Sequence, residues 1–321
     1  MSQLRAVVRP YVNATRRRAS YGRAALRSRL PRLGASPPTP SFSFILGCGR
    51  SGTTMLGDLL ALHPETAYLF EPFALWAAVD ARTDVGHVYT DAAVGIVLDE
   101  DDWSPEAQSR FDRLFATTGS GKAQVIEKSP RNTMRIGYLR RLAPGCRFVH
   151  IVRSGPEVAR SIARFADRNA DDPRRQRLQR NSWWGVGDAK WKAICFDAAR
   201  FDMLPSDLPS YRDNQVRGAC EWLMSLEAIE RAKATISSDL LEIRYQDITS
   251  APRDALADIA GFLQLDVDAA WIEAAERLIR PSTATHVGPL QLPVPLAEGV
   301  NAWQDRYGFD ERAVAVPTPS S

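Results

Sequence analysis

The 321-residue chain has no apolar run approaching the ~18–20 residues that a helix needs to cross a bilayer, so no spanning helix is expected. It also lacks an apolar h-region near the start, which argues against a cleaved secretory signal. Cysteine is scarce: Cys48, Cys146, Cys195 and Cys220 form no C-x-x-C pair and no dense framework. That usage fits a reducing cytoplasm and argues against structural zinc, so neither a disulfide scaffold nor a metal is expected. Histidine is limited to His63, His87, His150 and His286. The acidic run at 99–102 lacks the ligand spacing of a calcium loop and reads as a solvated helix entry. Residues 1–40 contain no acid, carry many arginines including Arg16, Arg17 and Arg18, and close in SPPTP. This predicts a basic flexible arm and proline linker ahead of one domain over 41–321. Such an arm is a solvated tail, a contact for an anionic membrane surface or nucleic acid, or, being Arg-rich and acid-free, a segment that resembles a transit peptide. The formal net charge is +3, and without the arm the remainder is net acidic, so no nucleic-acid partner is expected.

The richest stretch is 42–54, FSFILGCGRSGTT. Phe42, Phe44, Ile45 and Leu46 predict a strand buried on both faces, and helical spacing follows from Thr54. Gly47 and Gly52 sit at the spacing of the two glycines in G-x-x-x-x-G-K-[ST], with Thr54 at the hydroxyl position. Thr53 stands where the nucleotide-hydrolysing version has lysine, and the cation has moved to Arg50. Backbone N–H groups of the loop and of the helix's first turn would converge on an anion, with Gly49, Arg50, Ser51, Gly52, Thr53 and Thr54 lining it. A phosphate or sulfate fits; the geometry of ATP chemistry does not.

A second anion site is expected where the strand 147–152 ends in Arg153, with Ser161 about two turns into the following helix. Strands near 42–47, 67–70, 124–127, 147–152 and 240–245, with helices between most of them, predict an α/β fold with a doubly wound parallel sheet. Two stretches interrupt the alternation, about 80–122 and 166–209, and read as helical and loop caps over the acceptor side of the cleft. The second holds Trp183, Trp184 and Trp191, whose faces would suit a sugar ring.

Together, these segments resemble the sulfotransferases that use 3'-phosphoadenosine 5'-phosphosulfate (PAPS). In that family a G-x-x-[KR]-S-G-T-[ST] loop holds the 5'-phosphosulfate, here 47–54, and an R-x₇-S segment holds the ribose 3'-phosphate, here Arg153 to Ser161. The stretch 241–247, LEIRYQD, is similar to the family's strand and Y-[EQ]-D turn, which implies that Tyr245 lies near the adenine. The resemblance covers roughly 42–265. It implies a P-loop-type three-layer sandwich, a central parallel sheet with helices on both faces, and a cytoplasmic enzyme that needs no metal and releases 3',5'-ADP.

In-line sulfuryl transfer needs a base near the acceptor hydroxyl and cations near the leaving oxygens. Glu71, in FEP, and Glu127, in EKSP, both end strands, and both motifs resemble the bacterial and Golgi carbohydrate sulfotransferases. Glu71 is the favoured base, Lys128 the electrostatic helper and proton carrier, and Arg50 the stabiliser of the bridging charge. Arginine holds its proton, so Arg50 offsets charge without acting as an acid. Family members carry a glycine and basic residues near the C-terminus; here the matching stretch shows Gly288 without them, leaving Arg280 or Arg306 as substitutes. The expected reaction is direct transfer to a hydroxyl of a carbohydrate, a glycolipid or another small molecule. The competing readings are a P-loop small-molecule kinase using ATP and Mg²⁺, and a catalytically inactive nucleotide-binding protein.

Overall fold

The computed structural model describes residues 17–30, 41–115, 118–119, 121–170, 183–202, 204–205, 207–279 and 288–317. Five parallel strands form the central sheet: β1 (Ser41–Leu46), β2 (Thr66–Phe70), β3 (Gln124–Lys128), β4 (Arg147–Val152) and β5 (Leu240–Arg244), in the spatial order β2-β3-β1-β4-β5. The period of two on β1 explains why the sheet needs cover on both sides. Phe42, Phe44 and Leu46 enter one core with Trp76, Phe111 and Phe115, while Ile45 enters another with Leu56, Leu59 and Leu60. All these side chains are essentially removed from water. The α/β sandwich expected from the alternation of apolar runs is the fold observed.

Ahead of β1 lies helix α1 (residues 17–29), and helices α2 (Thr53–Ala61), α3 (Phe73–Val79), α4 (Pro105–Phe115), α5 (Ile136–Leu142), α6 (Gly155–Ala170), α7 (Ala189–Arg200) and α8 (Asn214–Ile236) connect the strands. The tail adds α9 (Tyr245–Ser250), α10 (Pro252–Leu263), α11 (Ala269–Leu278) and α12 (Val294–Tyr307). A second sheet of two parallel strands, β6 (Leu290–Pro293) and β7 (Ala313–Val316), flanks α12. The strand at Leu290–Pro293 forms because Leu290 and Leu292 alternate inward onto the core.

The amino-terminal arm differs from the expectation in its described part. Residues 17–29 are helical, and Tyr21, Ala24, Ala25 and Ser28 form one face at the i, i+3, i+4, i+7 spacing. Ala24 and Ser28 are buried, Arg113 Nη1 donates to the Ser28 carbonyl at 2.8 Å, and Tyr21 stacks on Tyr89 with ring centroids 5.4 Å apart. Arginine density made this segment look like a free tail. Its small residues dock it on the domain.

At the far end of the sheet, Glu242 receives hydrogen bonds from His150 Nδ1 at 3.1 Å and Tyr307 Oη at 2.7 Å, and pairs with Lys233 Nζ at 2.6 Å. Burial opposes ionisation there, but the hydrogen bonds from His150, Lys233 and Tyr307 outweigh it and hold the carboxyl at about 2. A depressed carboxylate contributes stability above its unfolded pKa of ~4.3 and loses it as pH falls towards the folded value. Glu242→Gln is expected to remove about 2–3 kcal/mol of stability at pH 7 and to flatten the acid limb between pH 5 and 2. Denaturant unfolding at a series of pH values measures both effects.

Candidate active site

All five strands of the main sheet point their carboxyl ends at the same edge, where open parallel sheets bind ligands. Register places Lys128 at the end of β3 opposite both Ile45 and Phe70, and places Val152 opposite Arg244. The residues that follow each strand therefore converge: the glycine loop after β1, Glu71 after β2, Arg153 after β4 and Tyr245 after β5.

The loop is held open by backbone that glycine alone adopts freely. Gly47 has φ +138° and a Cβ there would lie 2.5 Å from the Ile151 carbonyl oxygen; Gly52 has φ +102° and a Cβ would lie 2.5 Å from the Tyr245 ring. Thr133 clamps the loop from behind, accepting from the Gly47 N–H at 2.8 Å and donating to its carbonyl at 3.2 Å. Helix α2 starts at Thr53 with no side-chain cap hydrogen bond on Gly52, so its N-terminus is available to an anion. Trp183 lies across the loop: a Cβ on Gly49 would meet its ring at 2.6 Å.

The cationic side of the loop gathers residues distant in sequence. Arg50 Nε donates to Ser161 Oγ at 3.1 Å, while the Arg153 guanidinium lies 4.3 Å from the Tyr245 ring centroid and pairs with Glu157 at 2.6 Å. Burial pushes Arg50 below the usual guanidinium value, and so does repulsion from Arg153, Arg168 and Arg164. Like charges crowded around a glycine loop that opens a helix N-terminus are the electrostatic counterpart of a polyanion. A nucleotide with phosphates at both ends fits this donor set.

The third group is Lys128, Glu71 and Thr54. Lys128 is fully buried, and its Nζ donates to Glu71 Oε1 at 2.7 Å and to Thr54 Oγ1 at 2.9 Å, with the Phe70 ring centroid at 4.2 Å. Glu71 keeps about a third of its side chain exposed, at 29%. Its backbone sits at φ +42°, uncommon for a non-glycine residue, and is fixed by a hydrogen bond from its N–H to the Lys128 carbonyl at 2.9 Å. Glu127, the other carboxylate considered for the base, is fully buried and accepts from Trp76 Nε1, Ser129 Oγ and Asn132 Nδ2. Burial pushes its carboxyl up despite these donors. Glu127 ties β3 to α3 and the following turn and offers no face to a substrate.

Beside Glu71 opens a cavity of about 440 Å³, walled by aromatic rings including Phe73, Tyr89, Phe165 and Trp183. Both sequence insertions contribute to it, and so does Arg17 from the amino-terminal helix. The tryptophans divide: Trp183 faces the cavity, whereas Trp184 and Trp191 are buried against each other. Trp183 is anchored by Glu221, whose carboxylate accepts from its Nε1 at 2.7 Å and from buried Lys190 at 2.6 Å.

Residues 43–196 match the family model described as the sulfotransferase family. That match covers just under half of the chain. The chain is 30% identical over 132 residues to the nodulation protein NoeE of Sinorhizobium fredii (strain NBRC 101917 / NGR234), a match covering 39% of this chain and 32% of that protein. It thus spans about a third of the length of the curated relative it matches. Among solved structures, it is similar to sulfotransferase STF9 from Mycobacterium avium, with 13% identity, a TM-score of 0.48, and coverage of 86% of this chain and 79% of that one. The sulfotransferase domain of the Synechococcus PCC 7002 olefin synthase aligns with 16% identity and a TM-score of 0.44, covering 87% of this chain and 99% of that domain.

His63, His87 and Cys48 are held by the fold. His63 accepts from the Glu65 N–H and its Nε2 lies 2.9 Å from the Asp266 carbonyl, and His87 Nε2 lies 2.9 Å from the Ala93 carbonyl. Cys48 is buried, and burial together with nearby Glu221 pushes its thiol well up, so it is a packing residue rather than a reactive thiolate. Arg306 pairs with Glu230 and lies over Trp303, which corrects its candidacy for the nucleotide. Arg280 and His286 lie outside the described residues. Sequence reading missed Asp84 and Arg131, which line the cavity from a loop and a short turn and belong to no recognised spacing.

Proposed function

We propose that the chain is a PAPS-dependent sulfotransferase that acts on a hydroxyl of a carbohydrate or glycolipid by direct in-line transfer. The observation that carries this reading is the convergence of Arg50, Ser161, Arg153 and Tyr245 on one glycine loop, with Lys128 and Glu71 on its other side. PAPS, when bound, supplies the sulfuryl group and leaves as 3',5'-ADP. The loop N–H groups with Ser51, Thr53 and Thr54 hold the 5' end, and Arg153 with Ser161 holds the 3'-phosphate. ATP has no charge to offer that second pair. Tyr245 provides a ring for the adenine.

Glu71 takes the proton from the acceptor hydroxyl as its oxygen bonds to sulfur, while the bond from sulfur to the bridging oxygen breaks. Lys128 turns from Glu71 towards the charge on the transferred group, and Arg50 offsets charge on the leaving oxygen. The aromatic walls of the cavity support a sugar-like acceptor, since rings with a polar rim suit its faces. Four cysteines without a disulfide support a cytoplasmic setting, and no helix among the described residues is long and apolar enough to cross a membrane. Exposed Leu26 and Leu30, with arginines on the same helix, support a peripheral membrane contact.

Thermal unfolding with 3',5'-ADP, and separately with ATP and Mg²⁺, tests the proposal. At a hundredfold over its Kd a native-state ligand stabilises by ~2.7 kcal/mol, and that gain is expected with 3',5'-ADP alone. Stabilisation by ATP and Mg²⁺ alone would point to a kinase instead.

A further inference from the structure

The cavity beside Glu71 holds a cation that the transfer chemistry does not use. Arg131 leaves β3 on the short turn Pro130–Met134, and its guanidinium lies 4.5 Å from the Phe73 ring centroid. Among the described residues it has neither a hydrogen bond nor an ion pair, and it is half-buried on the cavity wall. Of the carboxylates nearest in charge, Glu71 and Glu221 are paired, while Asp84 keeps its buried Oδ1 without a hydrogen-bond partner among the described residues. Asp84 Oδ2 accepts from the Tyr89 and Thr90 N–H groups at 2.5 and 2.9 Å, Glu71 pairs with Lys128, and Glu221 pairs with Lys190.

Burial pushes Arg131 below the ordinary guanidinium value, against the pull of Asp84, Glu71 and Glu221. A guanidinium whose N–H groups have no protein partner among the described residues and open on a cavity is placed to receive an anion there. The lining side chains comprise three cations, Arg17, Arg131 and Lys190, and three carboxylates, Glu71, Asp84 and Glu221.

We infer that the acceptor carries an oxyanion, a carboxylate or a sulfate or phosphate ester, which Arg131 binds while a hydroxyl of the same molecule meets Glu71. The planar fork of donors matches a two-oxygen anion, and stacking on Phe73 holds the fork's plane. This inference rests on the reading of the cavity as the acceptor site. It makes Arg131 a specificity-determining residue: acceptors of equal shape are sorted by charge.

The test keeps the donor site filled with 3',5'-ADP and titrates glucuronate and its neutral amide, glucuronamide, by calorimetry. The wild-type protein is expected to bind the acid about tenfold more tightly, the scale of one charge-assisted pair. Arg131→Gln abolishes the gap without changing 3',5'-ADP binding, and Arg131→Lys keeps part of it. Glucose 6-sulfate and glucose 6-phosphate, compared with glucose, show which oxyanion the site prefers. Equal affinity for acid and amide, binding of neither, or a gap that survives in Arg131→Gln overturns the inference. Failure of 3',5'-ADP itself to bind would instead overturn the donor assignment.

Discussion

Lys128→Met is expected to lower turnover about 10²–10³-fold, the loss typical of removing one preorganised donor from developing charge. Binding of 3',5'-ADP should stay near wild type, because that product lacks the sulfuryl group. The split follows from placement. Lys128 is wholly buried at the end of β3, fixed between Thr54 on the phosphate-loop helix and Glu71 on the acceptor side. An ammonium desolvated there acts at short range without reorganising water, so its worth appears in the transition state rather than in ground-state affinity. Initial rates with PAPS, read beside 3',5'-ADP calorimetry on the same preparation, measure it. A rise in KM at unchanged kcat would instead make Lys128 a binding residue.

Glu71→Gln should reduce kcat about 10²–10⁴-fold, the range for a lost general base, again with product binding retained. The amide preserves shape and can still accept from Lys128 Nζ, so folding should be little affected. Only the capacity to receive the acceptor proton is removed. The strained backbone at Glu71, φ +42°, is maintained by its hydrogen bond to the Lys128 carbonyl, which fixes the carboxylate at the cavity rim. Transfer rates in the variant equal to wild type would take Glu71 out of the mechanism.

Much of this arrangement was readable from local patterns. The strand–glycine–helix run at 42–54 needed only apolar alternation, glycine spacing and a helix start, all short-range properties that survive without tertiary information. The pairing of Arg50 with Ser161, and of Arg153 with Tyr245, is set by strand order, which one sequence does not display. Register also decided between Glu71 and Glu127. Both end strands, but Glu127 projects among Trp76, Ser129 and Asn132 while Lys128, its neighbour, turns to the cleft. The docked helix at 17–29 was hidden for a different reason: its contact face consists of Tyr21, two alanines and Ser28, a weak apolar signal among arginines. Arg131 and Asp84 were invisible because a lining residue on a turn has no period.

As proposed, the edge of this sheet grips both charged ends of one adenosine nucleotide. The most direct measurement of that grip is the affinity of the wild-type protein and of Arg153→Ala for 3',5'-ADP and for 5'-AMP, which lacks only the 3'-phosphate. Wild type should prefer 3',5'-ADP by ~10-fold or more, on the scale of a charge-assisted pair, and Arg153→Ala should bind the two nearly alike. Equal affinity in the wild-type protein would contradict the account.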